Sequence, residues 1–332
     1  MKVSYNTGPY EPPSEPRMFP ALKIMETQTP PLKYGQYPYW RAPIVPASAE
    51  LYVPVWNWVN PLGAPQGDPV TVLDVNAAYL SAMGGVDIAH SHLERTGPVR
   101  NPDRKDVKPG YYKVTVPHWA FDATIVHPLG DSSRVREGRA LWIAAPTLIL
   151  LLELGEDGHL GAFDVLDSWT PTKTTNFRSW SARLGSYRTE CLDRIDTARD
   201  KDQAQRARDL YDAFKQGYSA ALSMMLTGEK CLTRRPDWAH TVYAQHAAST
   251  WRKAWRYTYT GRPLIAMGSV DEIAVLSVDI PEAVSMPRPP FRFDPTGRKP
   301  GALKPKRITY GGYTPAQRAT TITLIDDEED VL

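Results

Sequence analysis

TVLDVNAAYLSAM, residues 71–83, sets an apolar, β-branched run ahead of Asp74 and a stretch of small residues with Tyr79 behind it. Read from Val70, VTVLDV has the composition of a buried strand that ends at Asp74. NAAYLSAM then has helical character and stops at Gly84 and Gly85. An acid at a strand end has two readings. Its short carboxylate can bond neighbouring backbone N–H groups in a turn, or it can be an oxygen ligand for a metal ion. The stretch alone leaves both open.

A second acid sits in a similar setting. PLIAMGSVDEIAVLSVDI, residues 263–280, places two short apolar runs, LIAM and IAVLSV, on either side of GSVDE. That pattern predicts a β-hairpin with Asp271 near its turn. Two strands thus each deliver one carboxylate to a strand end. Carboxylates brought together can hold Mg²⁺, which takes oxygen ligands and commonly bridges to substrate phosphates. Two such ions stabilise the attacking and leaving oxygens of an in-line phosphoryl displacement.

Between the acids the pattern is helical. Residues 177–228 read as two long helices, rich in Arg and Lys and broken near Asp200. A third helix is expected to begin after Pro236-Asp237, with Asp237 as its cap, and to run to Gly261. Ahead of the helices, GYYKVTVP (110–117) alternates as a strand, ALWIAAPTLILLLELG (140–155) pairs a short strand with a buried helix, and GAFDVLDSWTPT (161–172) reads as another strand. Residues 1–69 are dense in proline and aromatics, which predicts an extended arm with one short strand near Leu51–Val59.

The chain of 332 residues is 42% hydrophobic, enough for a substantial core. No run of eighteen apolar residues occurs and MKVSYNTGPYEPPSEP lacks a signal peptide's apolar stretch, so a soluble, cytoplasmic protein with no membrane partner is expected. Cys191 and Cys231 form no CxxC pair, which argues against a disulfide framework or a structural zinc site. His90 and His92 are read as a loop pair without a third ligand. Net charge is only +2, from 39 basic and 37 acidic residues, so charge alone does not announce a nucleic-acid binder. The distribution is uneven: residues 286–310 hold a block of Arg and Lys with aromatics among them, and DDEED lies near the C-terminus. The basic block is either a strip that follows a phosphate backbone or a solvated Pro-rich loop.

The order of these elements resembles the palm and fingers of family B DNA polymerases, above all the phage-type and protein-primed branches. DVNAAYLSAM is similar to the family's first motif through Asp74 and Tyr79. KQGYSAALS is similar to the second through Lys215, with Ser219 and Ala220 where Asn-Ser is usual and Leu222 and Ser223 where Tyr-Gly is usual. MGSVDEI is similar to the third, keeping Gly268 and Asp271 and placing Ser269 at its first Asp. The likeness covers residues 70 to 308.

The resemblance implies an α+β fold: a palm with an antiparallel sheet and helices on one face, plus a helical fingers subdomain. The implied divisions are the N-terminal arm (1–69), a first palm segment (70–175), fingers (176–228), a second palm segment with the Asp271 hairpin (229–310) and an acidic tail (311–332). It implies Asp74, Asp271 and the Val75 carbonyl as ligands of two Mg²⁺ or Mn²⁺ ions. Tyr79 would exclude a sugar 2′-hydroxyl, and Lys215, Ser219, Arg183 and Arg208 would meet the incoming nucleotide. Lys304, Lys306 and Arg307 would meet duplex phosphates. Without the resemblance, Tyr79 reads as a core aromatic and Lys215 as a solvated helix residue.

No acidic exonuclease motif precedes Asp74, and about sixty residues follow Asp271, so neither proofreading nor a full thumb is expected. The implied function is a small, distributive polymerase acting on primer-template DNA and dNTPs for a phage, plasmid or linear element, with a terminal or clamp-like protein as a further partner. The alternative is a polymerase-like accessory factor with weak or lost catalysis. A third class is a nuclease or phosphotransferase that arranges two Asp and a Lys around Mg²⁺ without a template.

Overall fold

The computed structural model describes residues 45–64, 67–227 and 234–309. The expectations for residues 1–44 of the arm and for the acidic tail lie outside the described residues. A short helix α1 (Pro46–Ala49) leads to β1 (Trp56–Val59), β2 (Val70–Val75), α2 (Ala78–Gly84), β3 (Asp87–Ala89), β4 (Leu93–Arg95), β5 (Tyr111–Thr115) and β6 (Ala140–Ala144). Then come α3 (Ala145–Glu156), β7 (Val165–Pro171), β8 (Thr174–Asn176), α4 (Arg178–Asp196), α5 (Lys201–Thr227) and α6 (Pro236–Thr258). The last elements are β9 (Ala266–Ser269), β10 (Glu272–Leu276), a 3₁₀ turn, α7 (Ile280–Ser285) and β11 (Leu303–Thr309).

Among the described residues the strands form three antiparallel sheets. The central one has five strands in the order β1-β9-β10-β2-β11, a second has four in the order β4-β7-β5-β6, and β3 pairs with β8. The β9–β10 hairpin forms as its apolar runs require, and its turn holds Ser269 at φ 50. β1 places the described end of the arm at the edge of the central sheet, with Trp56 paired to Ser269.

β2 alternates. Leu73 and Val75 join the main core, whereas Val70 and Val72 join a small cluster with Ala266, Ala274 and Leu276. The main core also takes Ile273 and Val275 from β10 and Leu148 and Leu151 from α3. Helix α6 ties this core to the helical layer. Its C-terminal half contributes Trp251, Ala254 and Tyr257 to the main core. Its N-terminal half packs Trp238, Ala239 and Val242 against Leu80, Trp180, Leu184, Phe214 and Leu222. At 1.5 Å per residue α6 is about 35 Å long, enough to reach both.

Two local expectations need correction. Asp237 does not cap α6: Arg235 stands at the N-cap, and Asp237, inside the first turn, pairs with it at 3.0 Å (Nε) and 2.7 Å (Nη2). Buried at 0% and 6% side-chain exposure, the two charges satisfy each other, which removes the carboxylate from capping duty. The end of the basic block is also not a loop, because Leu303–Thr309 form β11 on the edge of the central sheet. Among the described residues no helix is long and apolar enough to cross a membrane.

Candidate functional site

The hydrogen-bonded ladder of β2 sets Asp74 at the last full rung, opposite Glu272 on one side and Lys304 on the other. One step further, the Val75 N–H donates to the Asp271 carbonyl at 3.2 Å. The two acids therefore lie on neighbouring rungs. The Asp271 N–H turns toward its own carboxylate. Burial pushes the Asp271 carboxyl above the usual aspartate range, and the charge of Asp74 pushes it the same way. Asp74 is raised by burial as well, against the pull of Lys306, Lys304 and Lys215. Such a pair is under-neutralised, the condition in which a cation is bound most favourably.

Glu272 is different. Burial acts to raise its carboxyl, but Lys306 and Arg307 outweigh that and hold it below the usual glutamate range. Lys306 Nζ reaches Glu272 Oε1 at 2.8 Å and Arg307 Nη2 reaches Oε2 at 3.2 Å. A β-bulge between Pro305 and Arg307 lets two nearby cations of β11 converge on one glutamate. Lys306 also feels Asp74 and Asp271.

After Val75 the chain turns sharply. Ala77 adopts φ 45, a left-handed conformation, and α2 begins. Tyr79, in the first turn of α2, is half-buried with its ring edge-on to Tyr243 (5.2 Å) and His246 (5.5 Å). Burial raises its phenol, followed by Tyr243 and Asp271, so the ring lies within electrostatic reach of the second acid. His246 is buried, and that burial lowers its imidazole to about 3, so it is neutral at pH 7.

Lys215 is exposed on α5, and its charge is among those acting on Asp74. Ser219, one turn on, is half-buried and accepts the Ser223 hydroxyl at its carbonyl (3.3 Å). Leu222 is fully buried in the helical core. Arg183 and Arg208 are exposed on α4 and α5. The charges that act on the two carboxyls come instead from Lys306, Lys304, Lys215 and Glu272 and, first of all on Asp271, from Asp74. Among the described residues no group of three or more His, Cys, Asp or Glu is placed to hold a metal ion. Beyond the two carboxylates, the Glu272 carboxylate faces Asp74 across the ladder, and it is engaged by Lys306 and Arg307.

The fold resembles phi29 DNA polymerase. Phi29 DNA polymerase complexed with primer-template DNA and incoming nucleotide substrates matches at TM-score 0.53 with 13% identity, over 80% of this chain and 47% of that one. Its complex with single-stranded DNA matches at 0.50 with 14% identity over the same shares. Its post-translocation binary complex with primer-template DNA matches at 0.52 with 13% identity, over 79% and 46%. The chain thus spans about half the length of the phi29 polymerase. No family model matches the sequence, and no curated protein does.

Three residues around the acids escaped the sequence reading. Glu272 gathers the β11 cations. Asn76 bonds with both its backbone and its side chain to the segment before β11: its N–H donates to the Ala302 carbonyl (2.9 Å), and its amide donates to the carbonyls of Gly297 and Lys299. Arg188, on α4, is buried and bonds Asn76 Oδ1 at 3.1 Å. A signal for Arg188 was present: it fills one place in the buried helical stripe Trp180, Leu184, Arg188, Cys191, where a cation is out of character.

Proposed function

We propose that the chain is a small polymerase-like nucleotidyltransferase that adds dNTPs to a DNA or protein primer, in replication or end maintenance of a phage, plasmid or linear element. The observation that carries this reading is the pair Asp74 and Asp271 on neighbouring rungs, each carboxyl raised, with Tyr79 and Lys215 in electrostatic reach, on a fold like that of phi29 DNA polymerase.

The donor set fits hard divalent ions. It is all oxygen and under-neutralised. Asp74, Asp271 and Val75 would hold two Mg²⁺ or Mn²⁺ ions. Bound there, such ions supply stabilisation of the attacking and leaving oxygens in an in-line displacement.

The chain's own residues do the rest. Tyr79, braced by Tyr243 and His246, sets a ring where the sugar of an incoming nucleotide would lie and leaves no room for a 2′-hydroxyl. Lys215 meets the triphosphate as a point charge, with Ser219 one turn away and Arg183 and Arg208 further along the helices. Lys304 meets duplex phosphates directly. Lys306 and Arg307 do so in competition with Glu272.

The test is primer extension with Mg²⁺ or Mn²⁺ and each dNTP or NTP, alongside Asp74→Ala and Asp271→Ala. Template-directed dNTP addition, lost in both variants while DNA binding persists, is the expected result. A wild type that binds DNA and adds nothing refutes catalysis and favours the accessory-factor reading. That second reading has its own observation: Ser219, Ala220 and Ser269 stand where the family pattern has Asn, Ser and Asp.

A further inference from the structure

Arg188 carries a buried positive charge, 2% exposed, whose hydrogen-bond acceptors among the described residues are all neutral oxygens. Nη1 donates to the Arg298 carbonyl at 2.6 Å. Nη2 faces Asn76 Oδ1 (3.1 Å), the Tyr211 hydroxyl (3.2 Å) and the Gly297 carbonyl. The guanidinium carbon also lies 5.7 Å from the Tyr211 ring centroid. A stripe of Trp180, Leu184 and Cys191 would be served better by leucine or methionine if stability were the only demand, because burying a charge costs more than burying an apolar side chain. The planar fork instead joins groups far apart in sequence, which a point charge would do poorly.

Those groups are the ones that set the candidate site. Asn76 is two residues past Asp74 and next to Val75, and its carbonyl accepts the Gly301 N–H at 2.7 Å. The segment 294–301 leads into β11, which carries Lys304, Lys306 and Arg307. Asp294 holds that segment in shape by accepting from Thr296 and from the Lys299 N–H at 2.6 Å. Arg298 ties it again to α4 through Asp193 (2.7 Å) and Asp196. Tyr211 brings in α5, the helix of Lys215. One side chain therefore touches the exit of the Asp74 strand, the approach to the basic strand, and the α4–α5 pair.

We propose that Arg188 is a positioning residue for the carboxylate site: acting through Asn76 and residues 297–298, it keeps the Asp74–Val75 strand end and β11 in register with α4 and α5. The inference rests on the reading of Asp74 and Asp271 as divalent-cation ligands. It adds that a displacement of the α4–α5 pair is transmitted to those ligands in part through the Arg188 guanidinium, beside the Arg298 tie to α4.

The experiment titrates Mn²⁺ into the full chain by electron paramagnetic resonance, for wild type, Asp74→Ala, Arg188→Lys and Arg188→Met, with thermal melts of each. Wild type binds Mn²⁺ and Asp74→Ala loses it. Arg188→Lys is expected to bind about tenfold more weakly, the lower end for losing a partner that orients a ligand. Its melting point is expected to fall by several degrees, with the chain still folded at the temperature of the titration. Arg188→Met refills the stripe and is expected to weaken Mn²⁺ at least as much; should it fail to fold, the Lys variant decides. Wild-type affinity in Arg188→Lys overturns the proposal, as does a wild type that binds no Mn²⁺ at Asp74. A wild type that binds Mn²⁺, weakened by Arg188→Lys, yet extends no primer keeps this inference and refutes the polymerase reading.

Discussion

Replacing Asp271 by asparagine should make the protein more stable without divalent ions and less stable with them. Asp271 and Asp74 lie on neighbouring rungs, and each carboxyl is raised, first by burial. At a separation of about 6 Å, taken for side chains on neighbouring rungs, and an effective dielectric of roughly 20 to 40, their repulsion is about 1–3 kcal/mol. The neutral amide would forfeit part of that gain, because Lys306 attracts Asp271 and the residue's own N–H bonds its carboxylate. A net stabilisation of about 1 kcal/mol remains, worth roughly 2 °C in a protein larger than about 250 residues. Saturating Mg²⁺ reverses the order. At about a hundred times its dissociation constant, a ligand specific to the folded state adds about 2.7 kcal/mol, which wild type receives and Asp271→Asn does not. Differential scanning fluorimetry with EDTA and then with Mg²⁺ reads both halves. A variant that melts below wild type in EDTA, or that keeps the full Mg²⁺ shift, would falsify the assignment of Asp271 as an under-neutralised ligand.

Acid should loosen the ground beneath Tyr79. The His246 imidazole titrates near 3 when folded and near 6.5 when unfolded, so the unfolded chain binds more protons between those values and stability falls as pH drops from 6.5 to 3. The loss amounts to a few kcal/mol, and His246→Phe should flatten that limb in urea melts taken across the range; an unchanged limb refutes it. Asp237→Ala leaves Arg235 charged and buried without its carboxylate and should cost about 3–5 kcal/mol in chemical denaturation. A cost below about 1 kcal/mol would mean that the bonds of Arg235 to the carbonyls of Ala89 and Ser91 suffice. Gly301→Ala puts a methyl group at φ 77 into the Ser81 hydroxyl on α2, so it should destabilise by about 1–3 kcal/mol, with Ser81→Ala recovering part of the loss. Equal melting of the single and double variants would count against that clash.

The strand ending in Asp74 and the hairpin around Asp271 were legible because each is a continuous apolar run broken by a turn signal, and nothing distant is needed to form it. The break between α4 and α5 was legible for a related reason: a short stretch rich in charge separates two amphipathic runs. β11 was not. LKPKRIT contains a proline and three cations, which reads as loop until a partner strand exists, and its bulge breaks the period of two that marks a strand. Asp237 misled because an acid after a proline at a helix start is a common cap, whereas its partner, Arg235, is a neighbour whose burial comes from tertiary packing. Arg188 and Asn76 were hidden more deeply. Their partners are backbone carbonyls more than a hundred residues away, and a carbonyl leaves no mark in a sequence.

The charges around Asp74 also imply an order of events under the proposed function. β11 carries three cations alongside the Asp74 strand, yet two of them are held by Glu272, whose carboxyl they keep ionised. What they give to Glu272 they withhold in part from Asp74 and Asp271, and both acids remain raised despite the pull of nearby lysines. An anionic triphosphate approaching such a site meets net repulsion at the acids and attraction at Lys215. A divalent ion at the acids removes the repulsion, so binding of metal and nucleotide should be mutually favourable, each strengthening the other by the same factor. Under the proposed function Glu272 would thus act as a local buffer of positive charge, keeping the β11 cations from neutralising the carboxylates that would take the metal.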